Sequence, residues 1–321
     1  MTSITDNAIP ESDSRREQVI VFFLMTAILL ALPFTGVYPY FVMQGLCFAL
    51  FACAFNLLIG YGGLLSFGHA MFLGTAGYIS AHATKVWGFS PELAILSGTA
   101  ASFALAVGSG FIAIRRQGIY FAMITLAISQ LFYFVYVQAN FTHGEDGIQG
   151  VPQGMMFGFL NLSKPLVIYY VVLAIFLFGF LVIYRAINSP FGEVLKSIRE
   201  NEQRAISLGY KTDQYKLVAF ILSGTLAGLA GAVKSIVAQN ASLTDVHWTM
   251  SGEVVLMTLV GGLGTVFGPV VGAFVIVAMQ QYLAGFGQWV TVIQGVVFVV
   301  CVLAFRRGIV GEIGHWLRRS L

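Results

Sequence analysis

The sequence predicts an all-α polytopic membrane protein of about ten membrane segments, with glycine-broken helices and a helical segment at the cytoplasmic surface. Three observations predict it. Hydrophobic residues make up 58% of the 321 and charged residues only 10%, against roughly 25% charge in a soluble domain. Mean hydropathy is +0.84. The apolar residues gather in runs that approach the ~20 residues a span needs, and Lys and Arg gather in a few clusters between those runs.

In chain order, residues 19–31, 40–59, 93–114, 119–137, 166–184, 217–237 and 290–305 read as seven helices. Residues 69–81, 252–260 and 270–283 are shorter apolar segments. The chain divides into an N-terminal tail over 1–17, a membrane domain over 18–306 and a C-terminal tail over 307–321. The basic clusters are Arg15/Arg16, Arg115/Arg116, the run from Arg185 to Lys216, Arg306/Arg307 and Arg318/Arg319. The positive-inside rule places all of them, and both termini, in the cytoplasm. Lys85, Lys164 and the loop over 140–154 then lie outside. The first apolar run resembles a signal-peptide core. Many spans follow it and Leu32-Pro33-Phe34 is a poor cleavage site, so an uncleaved first helix is expected. Cys47, Cys53 and Cys301 lie in apolar runs without metal-ligand spacing and read as packing residues.

The loop over 188–216, "NSPFGEVLKSIRENEQRAISLGYKTDQYK", holds the largest charge cluster. Pro190 suits a helix start, because its fixed φ fits there and its missing N–H is not needed. Val194, Leu195, Ile198, Ala205, Ile206 and Leu208 recur at helical spacing. Gly209 follows as a C-terminal cap. One or two short amphipathic helices are expected. Either the segment is a solvated loop, or its apolar face docks a soluble partner.

Longer strings are similar to one family. "IRENEQRAISLGYKTDQYKLVAFILSGTLAGLAGA", "NLLIGYGGLLSFGHAMFLGTAGY", "GIYFAMITLA", "HGEDGIQGVP" and "VVLMTLVGGLGTVFGPVVGA" resemble the branched-chain amino acid permeases of ABC importers, of the LivM type, in the family's order. Gln203 to Gly209 is a degenerate form of the permease motif Glu-Ala-Ala–three residues–Gly, matched strictly at Ala205 and Gly209. The family pattern has Gly-Gln-Leu-Ser where this chain has Gly63-Leu64-Leu65-Ser66, so no substrate contact is assigned to Leu64. The resemblance implies an inner-membrane importer subunit for amino acids, branched-chain ones first, with urea, short amides or aromatic acids as alternative cargoes. It implies a heterodimer with a second homologous permease, two ATPase subunits below and a periplasmic binding protein above, in lipid and without nucleic acid. The loop over 188–216 would be the cytoplasmic coupling helix, with Glu193, Arg199, Glu202, Ala205 and Gly209 transmitting ATPase closure. No Gly-x4-Gly-Lys-Ser/Thr motif occurs in the chain, so no phosphate cradle is expected. The chain then holds no cofactor and is not an enzyme; ATP and Mg belong to the ATPase subunits.

Two glycine-rich breaks share a Gly-Gly-Leu start and a Phe-Gly finish: Gly62-Gly63-Leu64 with Phe67-Gly68, and Gly261-Gly262-Leu263 with Phe267-Gly268. Paired broken segments are a pointer to a transport path. Nine residues over 252–260 rise only ~13 Å as a helix, so the second break is expected within the membrane. Pro269 would start a new helix whose N–H groups attract carboxylates. Fourfold spacing of Gly264, Gly268 and Gly272 also suits close helix packing, and the two roles are compatible. The two breaks are expected to approach each other and to line or frame the path.

Polar residues in the apolar segments are few. Asn56 and Ser66 are placed to satisfy backbone groups freed at the first break, and His69 to hydrogen-bond exposed backbone. Glu253 opens a very apolar run, where a lone charge is costly; it either attracts a substrate ammonium near the outer mouth or caps a helix near Ser251. Lys234 is expected to snorkel outward. His143, Glu145 and Asp146 in the outer loop would meet the binding protein by charge complementarity. An ion-coupled secondary transporter is the competing class; it would need intramembrane ion ligands, for which only Glu253 and His69 qualify. The five histidines form no local metal motif.

Overall fold

A computed structural model describes residues 11–287, 289–305 and 308–316. Residues 1–10 of the expected N-terminal tail, residues 317–321 of the C-terminal one, and the basic pairs Arg306/Arg307 and Arg318/Arg319 lie outside the described residues.

Thirteen α-helices are described. They are α1 (Glu11–Ala31), α2 (Pro39–Asn56), α3 (His69–Lys85), α4 (Pro91–Ala113), α5 (Ile119–Gln138), α6 (Pro165–Ile187), α7 (Pro190–Glu200), α8 (Glu202–Ser207), α9 (Thr212–Ala238), α10 (Trp248–Gly261), α11 (Gly268–Leu283), α12 (Trp289–Ala304) and α13 (Gly308–Trp316). Proline stands in the first turn of α2, α4, α6, α7 and α11, where its ring presets the helical φ.

Six helices among the described residues are long and apolar enough to cross a membrane: Pro39–Tyr61, Pro91–Ala113, Ile119–Gln138, Pro165–Ile187, Thr212–Ala238 and Gly268–Phe286. The expected count of about ten membrane segments, which includes short ones, is not confirmed by these six. Shorter apolar helical runs lie at Gln18–Phe34 and Val292–Cys301. Conversely, the third short segment is longer than expected, since helix begins at Gly268 and a 3-10 turn over Ala284–Phe286 prolongs it.

Helix α2 is the axis of the bundle. It is apolar all round, the pattern of a helix enclosed by others, and every residue from Gly45 to Leu58 is buried. Helices α6, α9, α10 and α11 pack around it. Small residues bring α3, α4 and α9 together: a Cβ on Gly228 would overlap the Ser102 side chain, and one on Gly231 the Leu73 carbonyl. Ser102 donates to the Gly224 carbonyl at 2.9 Å. Such small-residue contacts drive association where no hydrophobic force separates helix from lipid.

The connection between α5 and α6 carries more structure than expected. Ile148–Gln149 pairs antiparallel with Asn240–Ala241, and Met155–Met156 pairs with Leu160–Asn161. At the other end of the bundle lie α7 and α8, the two short helices the charged loop predicts. The region expected as a C-terminal tail contains α13, which packs on α10 and α11; a Cβ on its Gly308 would overlap Gly262.

Candidate functional site

The site is built from two bends that meet. Helix α2 continues into a π-helical turn over Leu57–Tyr61 and ends at Gly62. Gly63 then takes φ +68, and Gly262, which closes α10, takes φ +127; both are conformations that a side chain strains. Helices α2 and α10 both run toward this meeting point, so the two helix–bend–helix units point the same way.

Asn56 joins them. Its Nδ2 donates to the Thr265 carbonyl at 2.9 Å, and its Oδ1 accepts from the Gly264 N–H at 3.0 Å. Both groups belong to backbone that no helix can satisfy, and leaving such a group unpaired costs ~1–3 kcal/mol. Gly60 makes the approach possible: a Cβ there would collide with the Asn56 amide and lie 2.8 Å from the Gly264 nitrogen. A Cβ on Gly261 would overlap the Gly268 carbonyl, and one on Gly272 the Met257 carbonyl, so α10 and α11 touch through backbone. Thr265 accepts from the Gly268 N–H at 3.1 Å.

The first break climbs into the bundle. Ser66 accepts from the Gly68 N–H at 3.2 Å, Thr125 from Phe67 N–H at 3.2 Å and Ser251 from Ala70 N–H at 2.9 Å. Three hydroxyls thus occupy donors at the start of α3. His69 differs from expectation: its Nε2 meets the Ser223 hydroxyl at 2.8 Å, and Ser223 donates to the Ala54 carbonyl at 2.5 Å. The imidazole is fully buried and edge-packed by Phe55 and Phe72. Ser223 lies about 16 Å along α9 from Thr212 at the rise of a helix, so α3 begins part-way along the bundle. The second break does not. Its neighbours are Arg199, Gly60 and Gly308, which put it at the α7 end rather than in the middle, because α10 begins four residues earlier than expected, at Trp248.

Helices α7 and α8 are fastened to both bends. The Arg199 guanidinium donates to the Gly60 carbonyl, and a Cβ on Gly264 would lie 3.3 Å from its Nη1. The same side chain covers Gly63, whose Cβ would lie 3.0 Å from Arg199 Cγ, while Leu195 covers Gly62. Glu202, at the start of α8, faces inward: Lys216 Nζ donates to its Oε1 at 2.5 Å, Gln117 at 2.9 Å and Thr212 at 3.1 Å. Lys216 is fully buried. Ala205 is 1% exposed among Val194, Ile198 and Tyr215. Gly209, at φ +91, ends α8. Glu193 pairs only with Lys196 on the surface, at 2.8 Å, a contact of little energy. What α8 and the turn after it present outward is Ile206, 48% exposed, Leu208, 68%, and Tyr210, 41%, between the exposed Arg204 and Lys211.

Away from the bends, Gln280 Nε2 donates to Glu253 Oε2 at 2.9 Å. Glu253 lies in the second turn of α10 and caps no helix; His247 accepts from Thr249 at that start. Lys234 does not snorkel: it pairs with Asp245, both side chains largely buried, with its Nζ 5.1 Å from the Phe48 ring centre. His143, Glu145 and Asp146 are exposed at the opposite end from α7, His143 in a left-handed turn at φ +59. No cluster of three or more His, Cys, Asp or Glu suited to a metal occurs among the described residues.

Ile206 and Leu208 stand among the apolar positions that helical spacing picks out; Gly60, Thr265, Asp245, Gln280 and Tyr210 were missed. Their partners lie on other helices; only the polarity of Thr265 inside a glycine run marked one of them.

Comparison with known proteins matches residues 38–304 to a family described as branched-chain amino acid transport system / permease component. The high-affinity branched-chain amino acid transport system permease protein LivM of Salmonella typhimurium is 24% identical over 316 residues, 88% of this chain and 72% of the relative. The Escherichia coli LivM gives the same figures. The ribose import permease protein RbsC of Bacillus subtilis is 24% identical over 305 residues, 86% of this chain and 92% of the relative. No solved structure matches.

Proposed function

Since this chain belongs to the family of branched-chain amino acid transport system permease components, we propose that it is one permease subunit of an ABC importer that carries amino acids, leucine, isoleucine and valine first, across a bacterial inner membrane. A second, homologous permease completes the path. Two ATPase subunits, which hold ATP and Mg, dock at the α7 end, which is then cytoplasmic together with both termini. A periplasmic binding protein docks at the opposite end, over His143, Glu145 and Asp146.

The observation that carries this reading is the construction of α8. A six-residue helix has no stability of its own; Glu202 and Ala205 fix it from inside while Ile206, Leu208 and Tyr210 stand in solvent. Exposed apolar side chains rimmed by Arg204 and Lys211 are the composition of an interface. Force on that row reaches the bends through Arg199, because α7 and α8 share the apolar cluster of Val194, Ile198 and Ala205. The two bends frame the path, and the coupling segment is rigidly tied to them.

The test is co-purification and uptake with all partner subunits. Wild type retains the ATPase and imports labelled leucine, with unlabelled leucine competing and urea or an aromatic acid not competing. I206D/L208D folds but loses the ATPase. Retention of the ATPase by that variant overturns the docking assignment, and absence of leucine uptake by the wild type overturns the substrate.

A further inference from the structure

We propose that Glu253, paired with Gln280 between α10 and α11, is the recognition site for the ammonium group of the transported amino acid; the inference rests on the amino-acid importer reading above.

Charge supports it first. Between residues 217 and 305 the chain holds three charged side chains, Lys234, Asp245 and Glu253. One is positive and two negative, so the region carries a single uncompensated negative charge. Lys234 is spent on Asp245: the two are in direct contact, their side chains 13% and 12% exposed. Glu253 is left with Gln280, whose amide donates one hydrogen bond at 2.9 Å and no charge. A carboxylate among apolar helices without a cation is costly, and a cationic ligand removes that cost. An ammonium brings three donors and a full positive charge, and hydrogen bonds between ionised partners are about twice as strong as neutral ones.

Placement supports it second. Glu253 and Gln280 belong to α10 and α11, the two arms of the hairpin whose bend Asn56 and Arg199 hold. Glu253 is partly exposed, whereas Asp245 is buried, so Glu253 is the carboxylate within reach of a ligand. It stands two helical turns from the bend, about 12 Å at the helical rise, so a shift of the bend relayed from α7 moves α10 against α11 and changes the grip of Glu253 and Gln280 on the same ligand. The charge-complementary cargo is a solute that carries an ammonium group, as an α-amino acid does, rather than a sugar or a keto acid.

The experiment uses the complete importer in proteoliposomes, with labelled leucine and the binding protein in excess, and measures uptake and ATPase rate together. E253Q is expected to lower uptake about tenfold or more with assembly intact, as for loss of a buried charge partner. E253D, which keeps the charge, is expected to retain about a third of wild-type uptake or more. K234M/D245N deletes one charge of each sign, keeps the net charge, and is expected to stay within about threefold of wild type. E253Q at the wild-type rate overturns the inference, and so does an assembled E253D without uptake. If E253Q fails to assemble, E253D and K234M/D245N decide. Wild type without leucine uptake instead refutes the amino-acid reading, a result distinct from either variant outcome.

Discussion

The Arg199 guanidinium donates to the Gly60 carbonyl, joining α7 to the π-helical end of α2 at the point where both bends meet. Arg199 is thus a positioning residue between a surface segment and the bundle axis. The planar fork of Arg suits a backbone carbonyl and its neighbours better than the point charge of Lys. R199Q and R199K are expected to assemble with all partners and hydrolyse ATP, with uptake per ATP reduced about tenfold. Parallel uptake and ATPase measurements on purified complexes check this.

Asn56 is expected to be worth more than its size. N56A leaves the Gly264 N–H and the Thr265 carbonyl without partners, at ~1–3 kcal/mol for each such group. A fall in the thermal midpoint of several degrees, with reduced uptake, is the expected outcome. N56D keeps the acceptor and loses the donor, and should fall between.

Glycines in the helices separate into two kinds. G60A places a methyl against the Asn56 amide and the Gly264 nitrogen, and G272A places one inside the Met257 carbonyl. Both are expected to lower stability by more than ~2 kcal/mol. G108A, on an open face of α4 with nothing within 4 Å, is expected to be neutral or to gain up to ~1 kcal/mol. Thermal unfolding in detergent orders the three.

The fold class was legible because composition and run length decide it, and the two amphipathic helices because Pro190, Gly209 and the apolar spacing are local signals. Asn56 and Ser66 could be picked out as rare polar residues beside a break. Their partners could not: Asn56 meets a loop 209 residues away, and sequence spacing does not encode that distance. Ala205 shows the limit of a motif. It matches the coupling pattern but is 1% exposed, so a bulky charge there breaks the Val194–Ile198–Tyr215 packing before it reaches any partner. Ile206 and Leu208 were legible as apolar positions at helical spacing, but only the side on which α8 packs shows that they face outward.

Glu202 and Lys216 form the inner anchor of α8. Removing one member leaves the other charge buried, typically at 3–5 kcal/mol, whereas removing both for apolar residues is often near neutral. K216M is expected to lower stability strongly, and E202L/K216M to recover much of the loss. The double-mutant cycle, read by thermal unfolding, checks it; additive losses would place Glu202 in an exposed role.

On the proposed function, the α7–α8 segment drives the two bends through Arg199. Leucine uptake per ATP hydrolysed, measured in proteoliposomes carrying R199Q, is the decisive measurement. The expected result is ATPase activity within about twofold of wild type and uptake per ATP down about tenfold. An unchanged ratio of uptake to hydrolysis would contradict it.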